Sequence, residues 1–267
     1  MRQVRCGDAE IFYEVLGSGP PVVVLHPFPA NHEFWLPAVC ALTSRYQVVL
    51  PDLRGHGDSE LGEGPATMAK HAADLARVLE QERIRRAVLA GVSIGGYVLF
   101  EFWRRGSGQV AGLVLANTKA QADSAEGKVA RLAAAAQVLE RGTDSYFESL
   151  LPKLLGQSTR GTRPDLVQGV RSMMQKMSPE EVAMVQRGIA ERRDSVEVLR
   201  TIHVPTLVLA GDEDLLTGVG DAQLMQQHIA GSQMKVVARA GHYSPWEQAD
   251  EVGKILRQFV DGVSHVN

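Results

Sequence analysis

One serine framed by glycines is where this chain's chemistry starts. Gly91-Val92-Ser93-Ile94-Gly95 reads G-x-S-x-G, between an apolar run (residues 87–90) and a helix-like run (residues 97–103). A sharp strand-to-helix turn of this kind holds a serine hydroxyl out as a nucleophile. Residues near the serine must lack bulk, and glycine accepts strained backbone at little steric cost. The hydroxyl then needs a base to take its proton. His242 lies after the serine turn and after a carboxylate-rich turn, in the glycine-flanked segment Arg239-Ala240-Gly241-His242. Imidazole is the side chain whose proton exchange falls nearest neutrality. The carboxylate turn, Gly211-Asp212-Glu213-Asp214, offers three groups to orient that imidazole.

These segments need elements to carry them. Short, β-branched-rich runs at residues 11–15, 22–25, 48–50, 88–90, 113–116, 207–210 and 235–238 predict strands, most of them covered on both faces. Gly17-Ser18-Gly19-Pro20 is a turn. Ala72, Leu75, Ala76 and Leu79 share one helical face, and Val252, Ile255, Leu256 and Phe259 share another. Alternating strands and helices predict an α/β fold, a mostly parallel sheet flanked by crossover helices. The alternation stops between about residues 117 and 200, where Val129, Leu132, Ala133 and Ala136 fall at helical spacing. The chain therefore divides into a core, residues 1–117 and 201–267, and a helical cap, residues 118–200. Ligands of open parallel sheets bind beyond the strands' carboxyl ends. There the serine, the carboxylates and the histidine converge, in the order Ser…Asp…His.

That order, with the glycine-framed serine, resembles the α/β-hydrolase fold over nearly the whole chain. His26-Pro27-Phe28-Pro29 is similar to the family's His-Gly-Phe-Pro loop, with Pro27 replacing the usual glycine. Asp52-Leu53-Arg54-Gly55-His56-Gly57-Asp58-Ser59 follows a family signature closely, and Gly241-His242 with Glu247 resembles the histidine turn. The nearest branch resembles small esterases, 3-oxoadipate enol-lactonases and cofactor-free haloperoxidases. The resemblance implies a carboxylic-ester hydrolase with Ser93 as nucleophile, His242 as base and Asp214 as the orienting acid. It selects Asp214 over Asp212 and Glu213 because the family's acid stands three residues after the glycine. A proline is common after that acid; here Gly218 lies near the place. The backbone N–H groups of Ile94 and Phe28 are the implied oxyanion donors; Pro27 has no N–H. Epoxide hydrolases and haloalkane dehalogenases, which share the fold, use an aspartate where Ser93 stands. A lactonase or perhydrolase with the same triad, and a non-catalytic ligand receptor, are the alternatives.

Phe28, Trp35 and Tyr243 are expected to line the substrate pocket, with Tyr97 and Trp246 as further aromatics near the motif loops. Met173, Met174, Met177 and Met184 would wall the cap side or pack its helices. His26 and His56 read as braces, and Arg54 and Asp58 as turn-holding residues. With a net charge of −3 and a pI near 6.3, nothing marks a nucleic-acid surface. Cys6 and Cys40 make no disulfide framework or metal spacing, and Cys40 reads as a buried small hydrophobe. No metal or cofactor is expected, and Gly17-Ser18-Gly19 lacks a phosphate-loop lysine. The partner is a small ester or lactone. The N-terminus has no signal-peptide core and no run spans a bilayer, so a cytoplasmic location is the default.

Overall fold

The computed structural model describes residues 1–264. Its centre is an eight-stranded sheet: β1 (Arg2–Cys6), β2 (Ala9–Leu16), β3 (Pro21–Leu25), β4 (Gln47–Pro51), β5 (Ala87–Val92), β6 (Val110–Ala116), β7 (Thr206–Gly211) and β8 (Gln233–Val237). The strand order is β1-β2-β4-β3-β5-β6-β7-β8. β1 and β2 form an antiparallel hairpin, β2 meets β4 antiparallel, and every later pairing is parallel. β5, β6 and β7 are buried at every position, which explains why they are uninterrupted apolar runs.

Two strands depart from the sequence reading. β1 was not expected, because only Val4 and Cys6 turn inward and its charged residues face solvent. β8 was expected to be covered, yet it is the sheet's edge and only Val237 is buried. Its outward Lys235 suits an unpaired edge. Cys40 also corrects an expectation. Residues 38–42 wind through a helical turn and a 3-10 turn, so Ala38, Val39 and Leu42 face the core while Cys40 is turned to solvent. Cys6 is the buried thiol, pushed up to about 12 by that burial.

Helices Met68–Gln81 and Ile94–Arg105 pack together on one side, and Ala249–Ser264 packs against Leu36–Val39. Between β6 and β7 the chain runs through helices Ala125–Arg141, Asp144–Leu154, Gln157–Thr162, Pro164–Met174, Pro179–Ala190 and Val196–Leu199. Their starts are written locally. Ser124 caps the first, accepting from the Gly127 amide, and Ser178 with Glu181 forms a reciprocal capping box on the fifth. The first of these helices packs on the fifth through Ala135 and Val138, whereas the expected face, including Val129 and Leu132, points outward. Alanines around the whole helix give its pattern no single apolar side. Met173, Met174 and Met177 are buried and take the packing role. No helix among the described residues is long and apolar enough to cross a membrane.

Candidate active site

Ser93 follows the last residue of β5 and precedes the helix Ile94–Arg105. Its backbone is at φ 54°, ψ −115°, a region that side chains rarely occupy and one that stores strain. Glycine is obligatory around it. A Cβ on Gly91 would come within 2.4 Å of the Gly95 carbonyl carbon, and one on Gly95 within 2.6 Å of the Leu25 carbonyl oxygen. The turn is tied down from β6: the Ser93 amide donates to the Asn117 carbonyl (3.0 Å), and Thr118 Oγ1 donates to the Ser93 carbonyl (2.8 Å). The Ile94 amide stands at the helix start, where the first N–H groups have no partner inside the helix.

His242 and Asp214 come from the loops after β8 and β7. His242 Nδ1 lies 2.9 Å from Asp214 Oδ2, and both side chains are buried. Asp214 also accepts from Asn117 Nδ2 (3.0 Å), the Leu216 amide (2.8 Å), the Thr217 amide (3.0 Å) and Thr217 Oγ1 (2.8 Å). Burial alone would raise its pKa, but the His242 charge and the donated hydrogen bonds overcome this and hold it well below the usual carboxylate range. The other two carboxylates of the turn are occupied elsewhere. Asp212 accepts from the Ala240 amide (3.2 Å), and Glu213 accepts from the Ser158 amide (2.8 Å) and hydroxyl (2.5 Å). Glu247 braces the histidine turn, taking the Gly241 amide on one oxygen and the Gly156 amide on the other, both at 2.8 Å.

Ser93 and His242 line one cavity of about 180 Å³. No hydrogen bond joins the two side chains here; such bonds are often long in an empty site and tighten with substrate. Phe28 and Tyr97 line the same space, with Lys119, Arg131, Tyr146, Leu150, Gln186 and Thr217 among the rest. Trp35 and Tyr243, expected in the pocket wall, lie behind it, both with no solvent exposure. Each spends its polar atom on backbone: Trp35 Nε1 donates to the Leu25 carbonyl (3.0 Å) and the Tyr243 hydroxyl to the Phe28 carbonyl (3.1 Å). Trp246 also stands apart, its Nε1 donating to the Leu166 carbonyl.

The Phe28 amide is positioned by buried histidine chemistry. Its peptide partner, the Pro27 carbonyl, accepts from the Ala30 amide (3.0 Å) and from His26 Nδ1 (2.9 Å). His26 Nε2 accepts from the Leu53 amide (2.9 Å), which fixes the tautomer with the proton on Nδ1. Burial lowers His26 to about 4 and His56, whose ring packs edge-on against it, to about 3. Burial also lowers His71 well below the ordinary histidine value. Asp52 is buried, and its Oδ1 takes both the amide (2.6 Å) and Nδ1 (2.9 Å) of His32. Arg54 forms a two-pronged pair with Asp74, both contacts at 2.7 Å. Asp58 contributes its amide to Asp52.

These lowered histidines make stability depend on pH. In the unfolded chain each binds a proton near pH 6.5, so between that value and its folded pKa the unfolded state holds more protons. Their contribution is therefore complete above about pH 6.5 and is lost as pH falls, by up to about 1.4 kcal/mol per histidine per unit. His32 works the opposite way: burial opposes its charge, but the Asp52 hydrogen bond raises it. With three lowered against one raised, the urea midpoint should fall steadily from pH 7 to about 4.5. A midpoint independent of pH over that range would contradict the neutral histidine cluster.

The alpha/beta hydrolase family profile matches residues 22–255. The chain belongs to the alpha/beta hydrolase family. It is 28% identical to 3-oxoadipate enol-lactonase 1 of Acinetobacter baylyi over 246 residues, covering 92% of this chain and 90% of that one. Among solved structures it superposes on a thermophilic esterase from Thermogutta terrifontis with a TM-score of 0.95, at 34% identity, covering 98% of this chain and 99% of that one. The enol-lactonase of Burkholderia xenovorans aligns with a TM-score of 0.90 at 26% identity, over 97% and 100% of the two chains. The fold and the hydrolase membership expected from the motifs are thus those of its relatives.

Proposed function

We propose that the protein hydrolyses carboxylic esters through an acyl-serine intermediate, with residues 118–200 acting as a cap over the site and residues 1–117 and 201–267 as the catalytic core. Ser93 Oγ attacks the ester carbon while His242 Nε2 takes its proton. The tetrahedral oxyanion is stabilised by the backbone N–H groups of Ile94 and Phe28. Asp214 keeps the second proton on His242 Nδ1 and favours the imidazolium. The imidazolium protonates the leaving oxygen, the ester C–O bond breaks, and an acyl-serine remains. Water, deprotonated by the same imidazole, releases the acid and restores Ser93. The net change is ester plus water to acid plus alcohol.

One observation carries this reading: a histidine held by a buried, five-fold hydrogen-bonded carboxylate, in a cavity that it shares with a serine on a strained turn. The likeness to an esterase at 34% identity supports the ester class. The enol-lactonase relatives support ring-opening by the same residues as a second reading.

Nucleophile partitioning tests the intermediate. Ethyl, phenyl and p-nitrophenyl acetate, hydrolysed with hydroxylamine present, should yield one common ratio of acetate to hydroxamate, because all pass through the same acyl-serine. A ratio that varies with the leaving group would contradict it. The pH profile tests the base. Asp214 stays ionised far into acid, so the acid limb of kcat/KM should report one proton, falling about tenfold per pH unit. A limb of slope two would mean that the carboxylate titrates as well.

A further inference from the structure

The charged side chains on the cavity wall, His242 aside, are both cations: Lys119 and Arg131, with no carboxylate among the lining residues. Lys119 lies just beyond the end of β6 at Ala116, next to the Thr118 that holds the Ser93 carbonyl. It is half-buried, and its ammonium makes no hydrogen bond or ion pair with another described residue. Asp221 lies within electrostatic range but forms no ion pair with it. Arg131 reaches in from the helix Ala125–Arg141, its Nε on Asp123 (2.5 Å) and its Nη1 on Gln186 (3.0 Å). Asp123 is not Arg131's alone: it also takes Arg192 Nη1 (2.6 Å) and Nη2 (2.9 Å). Those two guanidinium groups hold it down to about 2 against the opposing effect of burial. Arg192 in turn lies 4.3 Å above the Tyr97 ring, which lines the cavity. Lys119, Arg131 and Arg192 therefore outnumber the nearby carboxylates, Asp123 and Asp221, three charges to two. Phe28, Leu150, Leu154, Ile189 and Leu216 form the apolar part of the wall.

A half-buried cation without a partner gives up part of its hydration, and a guanidinium held in the same cavity suits carboxylate oxygens. We infer that the substrates carry a carboxylate, joined by a short aliphatic chain to the ester carbonyl or to the alcohol oxygen, with Lys119 and Arg131 binding the carboxylate and the leucines covering the chain. This rests on the serine-hydrolase reading above and names its substrate class. The reaction is unchanged: the same ester C–O bond breaks and water supplies the new acid oxygen.

Two matched pairs test the idea on the whole protein. Monomethyl adipate against methyl hexanoate places the carboxylate on the acyl side; δ-acetoxyvalerate against pentyl acetate places it on the alcohol side. In at least one pair the charged ester should have the higher kcat/KM by about tenfold or more, the scale of one charge-assisted contact. The preferred pair identifies the limb. Lys119→Met and Arg131→Met should each shrink the preference, through a higher KM for the charged ester, and Lys119→Arg should retain most of it. If Lys119→Met is poorly folded, Lys119→Gln gives the same comparison. Equal kcat/KM within both pairs, or a preference unmoved in both the Lys119 and Arg131 variants, would overturn the inference. With a constant partition ratio still seen for the acetate esters, only the substrate class falls; without it, the acyl-serine reading falls too.

Discussion

Ser93→Ala should reduce kcat for p-nitrophenyl acetate on the order of 10⁴-fold or more, the scale seen when a triad nucleophile is removed. The residual rate would come from the oxyanion donors and binding alone. The fold should survive the change. The Ser93 turn is held by backbone contacts, from its amide to Asn117 and from Thr118 to its carbonyl, and its hydroxyl makes no hydrogen bond with another described residue. Alanine accepts the φ of 54° no worse than serine does. Circular dichroism and the urea midpoint of the variant should therefore match the parent. Unreduced turnover in a folded variant would remove Ser93 from the mechanism.

Asp214→Asn should lower kcat by about 10³–10⁴-fold, less than the serine change but far more than any neighbouring carboxylate. The reason is the donor count. The carboxylate receives His242 Nδ1, Asn117 Nδ2, two amides and the Thr217 hydroxyl. An amide there brings an NH₂ into a shell that holds only donors. Either one of those donors loses its acceptor, or the imidazole reverses its tautomer and presents N–H rather than a lone pair to Ser93. A buried donor left unpaired adds a stability cost of about 1–3 kcal/mol. Asp212→Asn is the control. Among the described residues Asp212 accepts only from the Ala240 amide, through an oxygen that asparagine retains, so kcat should stay within about threefold. Equal losses in the two variants would deny Asp214 its orienting role.

What the sequence disclosed follows a physical pattern. The serine turn was legible because its constraints are local: Gly91 and Gly95 have no room for a Cβ, whatever the rest of the chain does. The segment from Asp52 to Ser59 was legible through its resemblance to a family signature, and the structure supplies a physical cause for it: a Cβ on Gly57 would come within 2.2 Å of Asp52 Oδ2. The convergence of β5, β7 and β8 on one edge followed from their parallel order. The cavity wall was not legible. Arg131, Tyr146 and Gln186 reach the site only because the inserted helices dock as they do, and that docking rests on tertiary contacts such as Arg131 with Gln186. The outward Val129 and Leu132 show how an alanine-rich helix conceals which face it buries. Trp35 and Tyr243 were misassigned because nearness to a motif loop does not say whether a ring stands before or behind it; both brace backbone next to the site. Asn117 was missed although it directly follows β6 at the sheet's active edge. Its φ of 42° and its side-chain bond to Asp214 make it part of the support for the acid.

The most direct measurement of the central claim is peptide mapping after reaction with a fluorophosphonate. A serine activated by His242 should take up one phosphonyl group per chain, found on the peptide containing Ser93, and His242→Ala should slow that labelling by orders of magnitude. A chain that stays unmodified under conditions that label serine esterases, or one modified at another residue while Ser93 remains free, would contradict the account.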